Sequence, residues 1–171
     1  MLCPFHAKLQ YNPPKESHMH ISKTIGLVAH DARKQEMLIW VRKHAEALCR
    51  HNLICTGTTG GLINDMLSAE FPHLPINITR LKSGPLGGDQ QIGAKIVDGE
   101  IDILVFLTDP MTTQPHDVDV KALVRLCTVY NIVLACTVST ADFVISSPLF
   151  AAEYKAEHHD YSEYLRRQPI A

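Results

Sequence analysis

The sequence predicts one α/β domain with a doubly wound parallel sheet of about five strands and helices on both faces. Short apolar runs alternate with segments whose apolar residues recur at helical spacing. The apolar runs are continuous, which is typical of strands buried on both faces. Polar residues follow each run, and the carboxyl ends of parallel strands share one edge of the sheet, where ligands bind in this fold class.

The alternation of strand and helix patterns covers most of the chain in order. Residues 1–22 carry Pro4, Pro13 and Pro14 and are predicted to form a loosely ordered arm, and 23–171 to form one domain. Within that domain, residues 57–61 are predicted to be a loop. We expect strands at 24–29, 53–56, 76–81, 101–107 and 132–138. We expect helices at 32–51, 62–69, 88–98 and 117–131, and a further one from Thr140.

Composition and charge exclude several classes of protein. The 16 basic and 18 acidic side chains give a net charge of -2, and aromatic residues are 6% of the chain, which argues against a nucleic-acid-binding surface. No apolar run is long enough to span a membrane. The five cysteines are odd in number and form no C-x-x-C pair. We therefore expect a cytoplasmic protein with reduced thiols and without a metal site.

The segment 83–91, Ser-Gly-Pro-Leu-Gly-Gly-Asp-Gln-Gln, is the strongest single indication of chemistry. Glycines let backbone N–H groups approach an anion closely, and the N-terminus of the following helix attracts negative charge. Asp89 beside such a site suggests proton chemistry on a phosphorylated substrate. Asp89 is equally suited to cap the helix, so the segment alone leaves both interpretations open.

A second candidate for anion binding follows the second predicted strand. Residues 56–60, Thr-Gly-Thr-Thr-Gly, offer three hydroxyl groups and exposed amides, which suit the oxygens of a phosphate. Lys34, one turn into the first helix, can add a positive charge. Helix capping by the threonines is the alternative.

Two histidines and three carboxylates fall at the same predicted edge. Asp89, Asp109 and Asp119 are candidates for a general base and its supporting acids, while His30 and His116 are candidates for polarising a carbonyl. Each has an ordinary alternative. Asp119 would then be an acid in the first turn of a helix, Asp109 a turn residue before a proline, and either histidine a structural residue.

Several of these motifs, in the same order, resemble the methylglyoxal synthase family. The resemblance runs from about residue 23 to 150, with residues 161–165 also similar. The matching segments are 27–31 (Leu-Val-Ala-His-Asp) with Lys34, 56–60, 83–91, 115–123 (Pro-His-Asp-Val-Asp-Val-Lys-Ala-Leu) and 140–143 (Thr-Ala-Asp-Phe).

The resemblance implies a flavodoxin-like, methylglyoxal-synthase-like catalytic domain. The expected activity is that of a lyase (EC 4.2.3.3) that converts dihydroxyacetone phosphate to methylglyoxal and inorganic phosphate, a bypass of glycolysis. It implies no cofactor, inhibition by phosphate and a homohexamer. Asp89 matches the catalytic base, with His116, Asp119 and Asp109 beside it. The residues implied for substrate and phosphate contact are His30, Lys34, Thr56, Gly57, Thr58, Thr59, Ser83 and Gly84.

Two other functions stay open at this point. A related regulatory domain would bind a ligand through the two candidate anion-binding segments, 56–60 and 83–91. It would not need the pairing of Asp89 with His116. A flavin-binding electron carrier is disfavoured, because the loops lack aromatic residues to enclose the flavin. Members of the family also carry an arginine near the C-terminus that reaches a phosphate site, and the resemblance does not decide between Arg166 and Arg167.

Overall fold

A computed structural model describes residues 21–113, 116–157 and 159–166 of the chain. The predicted N-terminal arm lies outside these ranges except for its last two residues, and so does Arg167. None of the described helices combines the length with the apolar composition that a membrane span requires.

The centre of the fold is a five-stranded sheet in which every neighbouring pair is parallel, in the order β3-β2-β1-β4-β5. Burial explains the apolar sequences, because β4 is buried at every position and β1 at all but its first. The strands are β1 (Thr24–Ala29), β2 (Asn52–Cys55), β3 (Ile78–Arg80), β4 (Ile103–Leu107) and β5 (Val133–Ala135).

Helices cover both faces of this sheet. One face packs on a core that includes Met37, Trp40 and Ile63, and the other on a core that includes Ile92, Ile96 and Leu123. The helices are α1 (Lys34–Lys43), α2 (Ala45–Leu48), α3 (Gly57–Glu70), α4 (Gly88–Val97), α5 (Asp117–Val129), α6 (Val138–Ser146), α7 (Pro148–Ala151) and α8 (Ser162–Leu165). Residues of α1, α2, α3 and α6 line the first core and residues of α4 and α5 the second, so the predicted doubly wound α/β domain is confirmed.

The strand order corrects one detail of that prediction. A flavodoxin-like sheet has the order 2-1-3-4-5, whereas here β3 lies at the edge beyond β2, and the chain then crosses to the other side of β1 to form β4. The order of strands therefore reverses between β1 and β4. In open α/β sheets this point of reversal, at the carboxyl ends of the strands, is where ligands bind.

The largest local difference from the prediction is at residues 57–61, which are not a loop. Helix α3 begins at Gly57, directly after β2. A Cβ on Gly60 would lie 2.8 Å from the Cβ of Cys55, so the absence of a side chain lets the first turn of the helix pack onto the end of the strand. The glycines of this motif therefore allow α3 to pack closely against the end of β2, and they do not form an irregular turn.

The predicted helix at 32–51 is interrupted. Residues 31–33 form a short 3-10 turn, and the α-helix breaks at His44, whose backbone leaves the helical region at φ -115° and ψ 19°. The ring of His44 contacts the carboxylate of Asp142 on α6 at 2.9 Å, and the same carboxylate accepts a hydrogen bond from the indole of Trp40. Helical structure resumes directly after His44, in α2.

The four cysteines within the described residues form no disulfide. Cys49, Cys55 and Cys127 are buried and Cys136 is half-buried. Burial raises the pKa of the Cys55 thiol to about 12 and that of Cys127 to about 11. These residues therefore pack as small apolar side chains.

Candidate active site

A cavity of about 390 Å³ opens at the carboxyl edge of the sheet, where the strand order reverses. We call it the site cavity. Residues from β1, β4, the start of α3, the segment before α4 and the segment before α5 line it. The predicted site residues that it brings together are His30, Lys34, Thr56, Thr58, Thr59, Ser83, Gly84, Asp89 and His116.

Three predicted site residues lie outside the wall of this cavity. Gly57 donates its N–H to the carbonyl of Lys82 at 3.0 Å, and a Cβ there would lie 3.0 Å from the backbone nitrogen of Ser83, so Gly57 joins two segments of the site. Asp109 lies in a turn after β4, where its carboxylate accepts the N–H of Met111 at 3.0 Å. Asp119 lies in the first turn of α5, which was the alternative to a catalytic role.

Asp89 lies in the first turn of α4 but does not cap it, since Gly87 holds the cap position with φ at 96°. Its side chain is buried, and Oδ2 has no hydrogen-bond partner among the described residues. Burial raises the pKa of the carboxyl above its ordinary value, against the lowering effect of nearby His116. A carboxylate held this way is a better proton acceptor than an exposed one.

Glycines allow the chain to pass close to this carboxylate. A Cβ on Gly84 would lie 3.1 Å from both Asp89 Oδ2 and His116 Nε2. A Cβ on Gly88 would lie 2.1 Å from the carbonyl oxygen of Lys82, which is a direct clash. The glycines of segment 83–91 thus fix how closely the backbone approaches the acid and the imidazole.

His30 follows the last residue of β1 and is 7% exposed. Its Nδ1 accepts the backbone N–H of Asp109 at 2.9 Å, and its Nε2 is buried without a hydrogen-bond partner in the described structure. The ring packs edge-on against Phe106, with centroids 5.2 Å apart. Burial lowers the pKa of His30, and the neighbouring His116 lowers it further.

His116 immediately precedes α5 and brings a second imidazole into the site cavity. Its Nε2 lies 3.5 Å from Asp89 Oδ2, and its ring centroid lies 6.0 Å from that of His30. Its Nδ1 is buried and has no partner among the described residues. One carboxylate and two imidazoles therefore meet in a single pocket.

Another part of the cavity wall has the chemistry of an anion site. Thr56 is at the cap position of α3, but its side chain makes no capping hydrogen bond, and the buried hydroxyl of Thr59 has no partner in the described chain. The first α3 hydrogen bond runs from Gly60 N–H to the Thr56 carbonyl, which leaves the N–H groups of Thr58 and Thr59 ahead of the helical ladder. The hydroxyls are thus available to a ligand, which disfavours the capping alternative.

Lys34 and Ser83 complete this wall. The ammonium of Lys34 is paired with the exposed carboxylate of Asp31. Ser83 begins the 3-10 turn at 84–86, and its hydroxyl makes no capping bond. We call the wall formed by Lys34, Thr56, Thr58, Thr59 and Ser83 the phosphate cradle.

Several residues that line the site cavity were not among the predicted site residues. They are Val28, Ala29, Asp31, Pro85 and Phe106. All but Phe106 lie within two residues of a predicted site residue, so proximity along the chain was an available signal. Phe106 lies inside a continuously buried strand, where nothing in the sequence distinguishes it from its core neighbours.

Four buried side-chain atoms of the described residues lack a hydrogen-bond partner: His30 Nε2, Thr59 Oγ1, Asp89 Oδ2 and His116 Nδ1. All four residues line the site cavity. Buried polar groups are otherwise almost always paired, so their concentration here indicates a polar ligand. Within the part of the chain that the structure describes, no three His, Cys, Asp or Glu side chains are arranged to hold a metal ion.

Comparisons with known proteins indicate the family of the chain. The family model of the MGS-like domain matches residues 36–136. Methylglyoxal synthase of Oleidesulfovibrio alaskensis is 50% identical over 145 residues, covering 85% of this chain and 95% of the relative. Methylglyoxal synthase of Leptospira interrogans is 52% identical over 153 residues, covering 90% and 99%.

The same likeness extends to three dimensions. The crystal structure of methylglyoxal synthase from Elizabethkingia anophelis superposes with a TM-score of 0.78 at 53% identity, covering 88% of this chain and 95% of that one. At this identity over most of both chains, the likeness is more than a shared fold. The chain therefore belongs to the methylglyoxal synthase family.

Proposed function

We propose that this protein is a methylglyoxal synthase, a lyase that converts dihydroxyacetone phosphate to methylglyoxal and inorganic phosphate. One observation carries the proposal: the buried Asp89 carboxylate, 3.5 Å from His116, lines the same cavity as the phosphate cradle. A base, an electrophile and an anion site are the three parts that the reaction needs.

Asp89 is the proposed base. Its partnerless Oδ2 takes a proton from the hydroxymethyl carbon next to the substrate carbonyl, and the electrons of that C–H bond form the double bond of an enediolate. The raised pKa of Asp89 favours this transfer, because it reduces the mismatch with a weakly acidic C–H group.

The two imidazoles are the proposed electrophiles. Negative charge develops on the carbonyl oxygen as the proton leaves, and preorganised donors in a site that excludes water stabilise such charge. His116 lies beside the base, and His30 directs a buried nitrogen into the same cavity. Asp119 contributes a negative charge that raises the pKa of Asp89, which is a supporting role.

The phosphate cradle has two proposed roles. Its hydroxyls, the ammonium of Lys34 and the free N–H groups at the start of α3 bind the phosphate and accept it as the leaving group. The C–O bond to phosphate breaks as the enediolate collapses, which yields phosphate and the enol of methylglyoxal. That bond must stand perpendicular to the enediolate plane, so the cradle also sets a torsion angle.

The family resemblance supports three further parts of the proposal. Free phosphate would compete for the cradle and inhibit the enzyme. The protein would act in the cytoplasm as a homohexamer. Arg166 does not line the site cavity of its own chain and instead donates hydrogen bonds to Ser162, so an arginine of the tail would reach the phosphate site of a neighbouring subunit.

The decisive experiment is to incubate the purified protein with dihydroxyacetone phosphate and to measure methylglyoxal and phosphate in the same sample, against a sample without protein. Equal release of both products above the spontaneous rate is the expected result. Phosphate without methylglyoxal would identify a phosphatase. Binding of phosphate without either product would identify a regulatory domain, and a yellow protein would indicate a flavin carrier.

A further inference from the structure

The carboxylate of Asp109 does not face the site cavity, although the sequence places this acid among the catalytic candidates. Its oxygen accepts the N–H of Met111, and its pKa is lowered first by that bond and then by the hydroxyl of Thr112. The backbone N–H of the same residue points the other way and donates to Nδ1 of His30 at 2.9 Å. Asp109 therefore meets the site through its main chain.

We propose that Asp109 is a positioning residue that acts through His30: the turn closed by its side chain aims its own N–H at Nδ1 and so holds the imidazole as the tautomer with a proton on Nε2. The inference rests on the proposed function only for the identity of the substrate, because the tautomer is a property of the free protein. His30 thereby becomes a hydrogen-bond donor of fixed direction.

The tautomer follows from the hydrogen bond. A nitrogen that accepts an N–H cannot itself carry a proton, so the neutral imidazole of His30 must carry its proton on Nε2. That Nε2 is buried in the site cavity and has no partner among the described residues. A donor N–H left unpaired in a buried polar site is available to an oxygen of the ligand.

The neutral form is supported by the surroundings of His30. Burial lowers the pKa of its ring and the charge of His116 lowers it further, while Asp89, Asp109 and Asp117 raise it by less. Asp31, the next residue along the chain, also interacts with the ring electrostatically. A neutral imidazole can donate a hydrogen bond from its Nε2–H to the oxygen that gains negative charge in the reaction.

The turn itself is held by local chemistry. Pro110 has a fixed φ and disfavours the helical conformation at the residue before it, so Asp109 is kept extended. An aspartate that bonds the N–H two residues on closes the turn. Both features restrict the backbone conformation of Asp109, whose N–H is donated to His30, which explains why an aspartate suits a position outside the cavity.

The first test is spectroscopic and needs no substrate. We would record the ring nitrogen resonances of protein labelled with ¹⁵N-histidine at neutral pH and assign His30 by the signals that disappear in His30→Gln. The expected pattern is a non-protonated Nδ1 and a protonated Nε2. A proton on Nδ1, or a doubly protonated ring, would overturn the proposal.

The variants separate positioning from general damage. In Asp109→Ala the His30 pattern should shift towards a mixture of tautomers, whereas Asp109→Asn, which keeps an acceptor for Met111, should retain it. Asp98→Ala removes an exposed acid at the end of α4 and is the matched control, with the pattern unchanged. A wild-type pattern in Asp109→Ala would contradict the inference, and Asp109→Gly, which also lacks an acceptor, would replace that variant if it did not fold.

A double-mutant cycle then connects the tautomer to turnover. Asp109→Ala should lower kcat/KM for dihydroxyacetone phosphate about tenfold, mostly through kcat, as expected for one misaligned hydrogen bond. In a His30→Gln background the same change should cost almost nothing, because the residue it acts through is gone. Additive losses would overturn the proposal. If the protein did not turn over this substrate at all, the proposed function would fail while the tautomer result would stand.

Discussion

Two cavities of similar size lie at opposite edges of the same sheet, and they differ in whether the polar groups around them are hydrogen-bonded. The site cavity measures about 390 Å³, and the cavity at the amino ends of the strands about 300 Å³. The second, which we call the amino-edge cavity, is lined mainly by apolar side chains, with Lys23 and Asp102 among them. Size alone does not distinguish the two.

Hydrogen bonding distinguishes the site cavity from the amino-edge cavity. At the amino edge the N–H of Lys23 donates to His51 Nδ1 at 3.1 Å, its ammonium donates to the carbonyl of Ala152, and the N–H of Thr24 donates to Asp102 at 2.7 Å. At the site cavity, four buried polar atoms have no hydrogen-bond partner among the described residues. The amino edge therefore uses its polar groups for folding, and the carboxyl edge keeps them for a ligand, at a cost in stability.

Replacing Asp89 by Asn would test this contrast with the largest expected effect. Loss of the base should lower kcat at least about a thousandfold. Because the pKa of Asp89 is raised, the folded protein holds this proton more tightly than the unfolded chain, and stability falls as pH rises through that interval. The neutral amide removes this penalty, so the variant should melt at a higher temperature at neutral pH. Near-normal methylglyoxal production would show that the base is another residue.

The pH dependence of turnover sharpens the same point. Asp89 must be ionised to act, and burial raises its pKa, so the acidic limb of kcat/KM should lie above the ordinary range of an aspartate. Below that pKa the rate should fall about tenfold per pH unit. Steady-state rates measured from acid to neutral pH would check this, and an acidic limb at the position of an exposed aspartate would contradict it.

At the amino edge, His51→Leu should damage stability and leave chemistry intact. The change removes the acceptor of a buried N–H while keeping an apolar side chain against Phe150, and should cost about 1–3 kcal/mol of unfolding free energy. Urea denaturation would measure the loss. Specific activity of the folded fraction should match the wild type, and a large fall in kcat would mean that the two edges are coupled.

At the site edge, Thr59→Val should leave stability intact and weaken phosphate binding, and this is the smallest of the expected effects. Valine has nearly the same shape and removes a buried hydroxyl that has no partner, so stability should be unchanged or slightly higher. The inhibition constant of phosphate should rise about two- to tenfold through loss of one hydrogen bond. Thr128→Val, at an exposed threonine on α5, is the matched control. Unchanged inhibition would remove Thr59 from the phosphate cradle.

The sequence predicted the sheet well because burial on both faces leaves a clear pattern. The continuous run in β4 and the spacing in α5 depend only on which residues are apolar. The segment at 57–61 was misjudged because glycine is ambiguous: only the approach of Gly60 to Cys55 shows that it serves packing inside a helix. The break at His44 likewise depends on Asp142, which is distant along the chain.

Some features of the candidate site could likewise be predicted from the sequence, and others could not. Asp89, His30 and His116 could be proposed from the sequence, since polar residues that follow parallel strands gather at one edge. The distinction between Asp89 and Asp109 could not, because it depends on which way each carboxylate points. Asp89 faces the cavity, whereas Asp109 faces its own turn. Residue type and position predict which residues lie at the carboxyl edge of the sheet. Only the direction of each side chain distinguishes their roles.

Burial of the cysteines has a consequence for the product of the proposed reaction. Methylglyoxal is an electrophile, and the thiolate is the nucleophilic form of cysteine. Cys55 ends β2, one residue before the phosphate cradle begins, yet its pKa of about 12 leaves roughly one thiolate in 100,000 molecules at neutral pH, a figure that follows from the titration equation. Burial therefore keeps the Cys55 thiol, which lies next to the phosphate cradle, from reacting readily with this aldehyde.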